Sequence, residues 1–142
     1  MNEFSIFRLP ESSNEEQTLF LVRWVNDHIQ DAQIIIEKPV LFAEFGVSVR
    51  NMSSESIRIR DEFFNLVYSS IYSSASDGGA ATGGLFWHLL AEGMDSFKDG
   101  YEVLLDENSS TATLIAQESQ KLNRIRMKKF SIDNTKVKQV RN

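Results

Sequence analysis

The chain contains no cysteine, so a disulfide framework, a thiolate zinc site and a thiol nucleophile are all excluded. Two prolines and seven glycines among 142 residues rule out collagen, Pro-rich linkers and mucin-like stalks. Two histidines with no paired spacing offer no metal-ligand pattern. Basic residues are outnumbered, 15 against 20 acidic, and the resulting charge of −5 lacks the basic face a nucleic-acid binder needs. No apolar run approaches the roughly 20 residues of a membrane-spanning helix. The first residues, Met1 to Arg8, carry no basic stretch followed by an apolar run and a small-residue cleavage site, so the chain is expected to start in the cytosol. What remains is ample apolar material, 42% hydrophobic and 11% aromatic, sized for one domain.

That material is distributed in alternating patterns. Ser12 or Ser13, each with a glutamate three residues on, opens a helix carrying Leu19, Phe20, Val22, Trp24, Val25 and Ile29 to about Gln33. Trp24 is read there as a core anchor. Pro39 then stops the chain, and Val40–Ala43 form an apolar run too short for a helix, the pattern of a strand buried on both faces. A second helix is expected from Ser54 to Ala75, with Ile57, Phe63, Phe64, Val67, Tyr68, Ile71 and Tyr72 inward. Asp77-Gly78-Gly79 breaks it, and Leu85-Phe86-Trp87 reads as a second buried strand. A polar loop over Glu92–Asp99, a brief extended piece at Tyr101–Leu105 and a last helix over Ser110–Leu122 complete the pass. Helix, strand, helix, strand, helix is the order of an α/β fold with parallel strands. The Lys- and Arg-rich segment from Lys121 to Asn142 reads either as an anionic-surface contact or as a solvated extension.

Few residues could carry chemistry. Glu44 lies at the carboxyl end of the first strand, where α/β folds place their active groups, and burying a lone carboxylate there requires a partner. It is either a functional carboxylate or one bonded to nearby backbone amides. Trp87 holds the corresponding place on the second strand, as a ring for stacking on a sugar or as core. His88, beside it, could line the same cleft, whereas His28 is an ordinary helix residue. Gly78-Gly79 and Gly83-Gly84 precede a strand and make no phosphate-binding loop, and no cofactor motif is present. Asn51-Met52-Ser53 and Asn108-Ser109-Ser110 match the glycosylation sequon.

Lys38-Pro39-Val40-Leu41-Phe42-Ala43-Glu44-Phe45-Gly46, Arg60-Asp61 with Val67-Tyr68-Ser69, Gly83-Gly84-Leu85-Phe86-Trp87 and the run Glu92 to Val103 together resemble the plant endo-β-1,4-mannanases of glycoside hydrolase family five. The resemblance extends from about Phe4 to Arg126. It implies a (β/α)₈ barrel and retaining hydrolysis of internal bonds in mannan-type polysaccharides, with no cofactor or metal. Glu44 would be the nucleophile and Trp87 the sugar platform at the cleaved bond, with His88 and Asp95 as neighbouring substrate contacts. The family is secreted to the plant cell wall.

The chain departs from that family in length and in residues. A complete barrel takes about 250 residues, so residues 1–126 are expected to form an incomplete one: helix 6, strand 7, helix 7, strand 8 and helix 8, with 127–142 a disordered basic extension. A third strand could lie at Phe4–Phe7. The family's acid/base is a glutamate preceded by asparagine after the fourth strand. Here the Asn-Glu pairs are Asn2-Glu3 and Asn14-Glu15, and neither follows an apolar strand. The His-x-Tyr-Pro that ends the sixth strand is replaced by Phe7-Arg8-Leu9-Pro10. The expectation is therefore a shortened mannanase product that stays in the cell, is inactive alone, and self-associates through open strand edges. A non-catalytic mannan-binding fragment or an inert pseudogene product are the alternatives.

Overall fold

The computed structural model describes residues 14–49, 53–105 and 109–139. The suggested strand at Phe4–Phe7, the serine caps at Ser12 and Ser13, the Phe7-Arg8-Leu9-Pro10 segment, the Asn2-Glu3 pair, and Asn51 and Asn108 of the two sequons lie outside the described residues.

Helix α1 spans Asn14–Asp31 and buries Leu21, Val25 and Ile29, one stripe at intervals of four. It loosens into a wider turn at Ala32–Ile36, closed by Glu37 in the left-handed conformation, which satisfies the Ala32 carbonyl. Strand β1, Val40–Phe45, follows Pro39 as expected and runs two residues further. Helix α2, Ser54–Ser76, starts where Ser53 Oγ accepts the Ser56 N–H at 3.2 Å. Its buried face is Arg60, Phe63, Phe64, Val67, Tyr68 and Ile71, a stripe of helical period. Gly78, at φ +80°, turns the chain into β2, Ala81–Phe86. β1 and β2 pair in parallel, so α2 is the crossover between them. A second parallel pair joins β3, Leu89–Leu90, to β4, Val103–Leu104. Helix α3, Ser110–Gln139, packs on α2. The mixed, alternating α/β order is as expected.

The core is aromatic. Phe45 meets Phe63, Phe64 and Tyr68 at ring separations of 6.3, 5.7 and 5.5 Å, and Phe64 meets Phe86 edge-on at 5.8 Å. Phe64 and Ile71 are fully buried. Burial pushes the Tyr68 hydroxyl up to about 12, and it donates to the Gly84 carbonyl. A second, polar anchor ties α2 to α3. Arg60 Nε donates to Thr111 Oγ1 at 3.1 Å, its Nη1 donates to the Glu102 carbonyl at 3.1 Å, and Thr111 in turn donates to Asp61.

Three expectations are corrected. β1 and β2 are not buried on both faces: Leu41 is 52% and Leu85 56% exposed, because the helices cover one side of the pair only. β2 begins at Ala81, four residues before the expected Leu85, since Gly83 and Gly84 lie inside the strand. Gly84 is needed there, because a Cβ would sit 2.9 Å from the Phe45 ring. α3 continues beyond Leu122 to Gln139. Among the described residues no helix is long and apolar enough to cross a membrane.

Candidate active site

Glu44 sits in a bulge. In the β1–β2 register Ala43 faces Leu85 and Phe45 faces Phe86, so Glu44 is the one residue of β1 with no partner. Its φ of 60° is in the left-handed region, which a glutamate rarely adopts, and its side chain is exposed at the carboxyl end of the strand. Strain of this kind concentrates where a fold must aim a functional group.

Trp87 follows directly on β2. Its backbone N–H donates to the Phe45 carbonyl at 2.9 Å, so the ends of both strands, with Glu44 on one and Trp87 on the other, are joined by a hydrogen bond. Gly46 permits the approach, since a Cβ on it would stand 2.5 Å from the Trp87 carbonyl oxygen. The Trp87–His88 peptide is cis. The indole is 46% exposed and lies 4.9 Å from the His88 ring, nearly parallel at 19°. Of the two readings of Trp87, a sugar-stacking ring or core, full core burial does not describe this half-exposed ring, whereas Trp24 packs on Phe42 and His28.

The structure brings Trp87 and His88 together around a residue the sequence reading passed over, Asp99. Asp99 Oδ2 accepts the Trp87 Nε1–H at 3.3 Å and Oδ1 lies 3.3 Å from His88 Nε2. Partial desolvation by itself would raise the Asp99 carboxyl. The Tyr101 N–H, the indole N–H and His88 outweigh it and hold the group below the usual carboxylate range. The signal available in sequence was Asp99-Gly100, a turn dipeptide whose aspartate bonds the N–H two residues on, at 2.9 Å here. Asp95 is not among the residues that bond Trp87 or His88. It pairs with Lys98 at 2.6 Å, which lowers its carboxyl, and lines a depression of about 510 Å³ with Glu92, Gly93, Leu104 and Leu105. His88, Asp99 and Glu102 place ligand atoms within 4.8 Å of one another and are the described residues that could hold a cation. Their atoms are already engaged: Glu102 Oε2 accepts the N–H groups of Asp99 and Gly100 at 3.2 and 2.7 Å.

Glu44 and Trp87 thus stand at the carboxyl ends of two paired parallel strands, where α/β folds place their active groups. Sequence comparison finds relatives. Over 117 residues the chain is 50% identical to mannan endo-1,4-beta-mannosidase 7 of Arabidopsis thaliana, covering 82% of this chain and 27% of that relative. It is 46% identical over 114 residues to mannan endo-1,4-beta-mannosidase 1 of Oryza sativa subsp. japonica, covering 80% and 26%. Mannan endo-1,4-beta-mannosidase 3 of Arabidopsis thaliana matches 39% over 128 residues, 90% and 30%. The chain is similar to one part of the plant mannan endo-1,4-β-mannosidases. It spans little more than a quarter of the length of the relatives it matches. No protein-family model matches it. The Trp87–Phe45 hydrogen bond ties Trp87 to the residue that follows Glu44.

Proposed function

We propose that this chain supplies the nucleophile side of a retaining endo-β-1,4-mannanase cleft, in the last part of a (β/α)₈ barrel. The observation that carries the reading is Glu44, held at φ 60° in a bulge at a strand end, with Trp87 bonded to the very next residue. In this reading Glu44 attacks the anomeric carbon of a mannosyl unit whose apolar face rests on Trp87. The leaving oxygen then takes a proton from a second carboxyl roughly 5–5.5 Å away, which later activates water. Asn14-Glu15 does not suit that role: it opens α1, and Glu15 is exposed in the first helical turn. Among the described residues, then, no Asn-Glu pair follows a strand to serve as the acid/base. Losing general-acid assistance typically costs about 10²–10⁴-fold, and losing the rest of the cleft costs more.

The 142-residue chain alone is accordingly expected to bind mannan-type oligosaccharide without measurable turnover. The half-exposed Trp87 ring favours this non-catalytic binding reading for the isolated chain. Galactomannan hydrolysis and binding are to be measured beside Glu44→Ala and Trp87→Ala. Turnover that vanishes in Glu44→Ala would show an active chain and overturn the expected inactivity. Binding lost in Trp87→Ala supports the platform role. Neither binding nor turnover would leave an inert product. The open apolar strip at Leu41 and Leu85 is further proposed to drive self-association, which light scattering of Leu41→Lys/Leu85→Lys against the parent chain tests.

A further inference from the structure

We infer that Asp99 is the positioning residue of the mannanase platform: its carboxylate fixes the tilt of the Trp87 indole through Nε1 and seats His88 beneath it. The inference rests on the reading of Trp87 as a sugar platform. A tryptophan at a strand end has two side-chain torsions and one polar handle, its N–H donor. With 46% of its surface exposed, packing alone leaves Trp87 room to turn, and a ring that turns cannot present one face to a sugar. The bond to Asp99 Oδ2 removes that freedom.

Asp99 is itself held from several directions. Its Oδ1 accepts the Tyr101 N–H at 2.9 Å, and its own N–H and that of Gly100 are tied to Glu102 Oε2. The Gly100 carbonyl accepts the Val49 N–H at 2.6 Å, and the Glu102 carbonyl accepts from the buried Arg60. A loop that carries the platform's partner is thus anchored to α2 and to the segment after β1. The carboxylate form matters. Three donors converge on its two oxygens: the indole N–H, the Tyr101 N–H and His88 Nε2, which must carry the proton to face an oxygen that has none. An asparagine would turn its NH₂ toward one of them. Asp99→Asn is therefore expected to behave like Asp99→Ala, whereas a purely space-filling role would tolerate it.

The test uses the 142-residue chain in a Trp24→Phe background, which leaves Trp87 as the sole tryptophan. The indole N–H resonance and the fluorescence anisotropy are recorded for the parent, Asp99→Asn and Asp99→Ala, and mannopentaose is titrated into each. In both variants the indole signal is expected to move toward that of a water-bonded ring and the anisotropy to fall. Mannopentaose affinity should drop about tenfold, the scale of one charge-assisted hydrogen bond. In a Trp87→Phe background, which lacks the N–H, removing Asp99 should cost little more. The inference is overturned by an unchanged indole signal in both variants. It is equally overturned if removing Asp99 lowers affinity as much in the Trp87→Phe background as in the parent, since the two side chains would then be uncoupled. If even the parent binds no mannopentaose, the platform reading fails, and the indole signal still decides whether Asp99 holds the ring. Asp99→Asn keeps the side-chain shape and serves should Asp99→Ala not fold.

Discussion

Adding one methyl group at Gly46 should damage both stability and site, because of where that methyl would go. A Cβ there falls 2.5 Å from the Trp87 carbonyl oxygen and 3.5 Å from a ring carbon of Tyr101. Separations below 3.0 Å are not tolerated between such atoms, so the two segments must part by at least about half an ångström. They resist. The Trp87 N–H is bonded to the Phe45 carbonyl, immediately before Gly46, and the His88 carbonyl accepts the Val103 N–H at 2.8 Å. Gly46 is not in the left-handed region, so alanine suits its backbone angles and the whole cost comes from crowding. Overpacking of this kind costs about 1–3 kcal/mol, roughly a 3–10 °C lower Tm for a domain of this size. Gly83→Ala is the matched control: its Cβ would meet only the Leu41 side chain, at 3.4 Å, and stability should stay within about 0.5 kcal/mol of the parent. Urea unfolding followed by far-ultraviolet circular dichroism gives the energies, and Trp87 emission reports the site. If Gly46→Ala proves as stable as Gly83→Ala with Trp87 emission unchanged, the close approach of the two strand ends is refuted.

Glu44→Gly should be neutral or stabilising by about 1 kcal/mol in urea unfolding, since glycine relieves a left-handed strain of about 1–3 kcal/mol at some entropic cost, while any nucleophilic activity disappears. A marked loss of stability would show that the bulge is not strained. Tyr68 ionises near pH 10 when unfolded but at about 12 when folded, so its neutral form stabilises the fold below pH 10, and that contribution falls as pH rises from 10 to 12. The loss, about 2 kcal/mol, should be missing in Tyr68→Phe when unfolding is compared at about pH 9 and about pH 11.5. Arg60→Ala strands the Glu102 carbonyl and the Thr111–Asp61 pair and should cost about 2–4 kcal/mol, with Arg60→Lys recovering only part, because one ammonium does not reproduce the two-armed geometry.

Much of this architecture is written in hydrophobic spacing. The stripes of α1 and α2 and the run Val40–Ala43 announce the alternating order because each element must bury one face. Glu44 is legible for the opposite reason, as a charge at the end of an apolar run. The exposure of Leu41 and Leu85 was not legible, since a run of apolar residues is the same whether or not a second layer covers it. The start of β2 was hidden by Gly83 and Gly84, which lack strand propensity; at Gly84 the Phe45 ring and Ile71 leave no room for a side chain. Asp99 was hidden by its loop: its role depends on a turn that brings it back to Trp87, twelve residues earlier, and local patterns carry no such information. Asp95, more conspicuous beside Gly93-Met94, is instead occupied by Lys98.

The bulge at Glu44 joins the core to the chemistry. In a regular strand Phe42 and Phe45 would point to opposite faces, because side chains alternate and the two are three apart. Both are buried, Phe42 at 8% and Phe45 at 4% exposure, while Ala43 and Glu44 between them are exposed. The extra residue restores the parity, letting Phe45 enter the cluster of Phe63, Phe64 and Tyr68. The aromatic cluster thereby holds the strain that the glutamate would otherwise release by slipping one residue. A slip would put Phe45 on the open face and move Glu44 off its unpaired place in the register. The core packing of Phe45 and the aim of Glu44 are thus a single conformational choice. Phe45→Ala should therefore disturb the site more than an equally destabilising change such as Ile29→Ala, on the buried stripe of α1 and not among the residues that line the cavity beside Phe45. Trp87 emission at matched stability, with the Trp24→Phe background removing the other signal, distinguishes the two. Equal disturbance would mean that the bulge persists without its aromatic anchor.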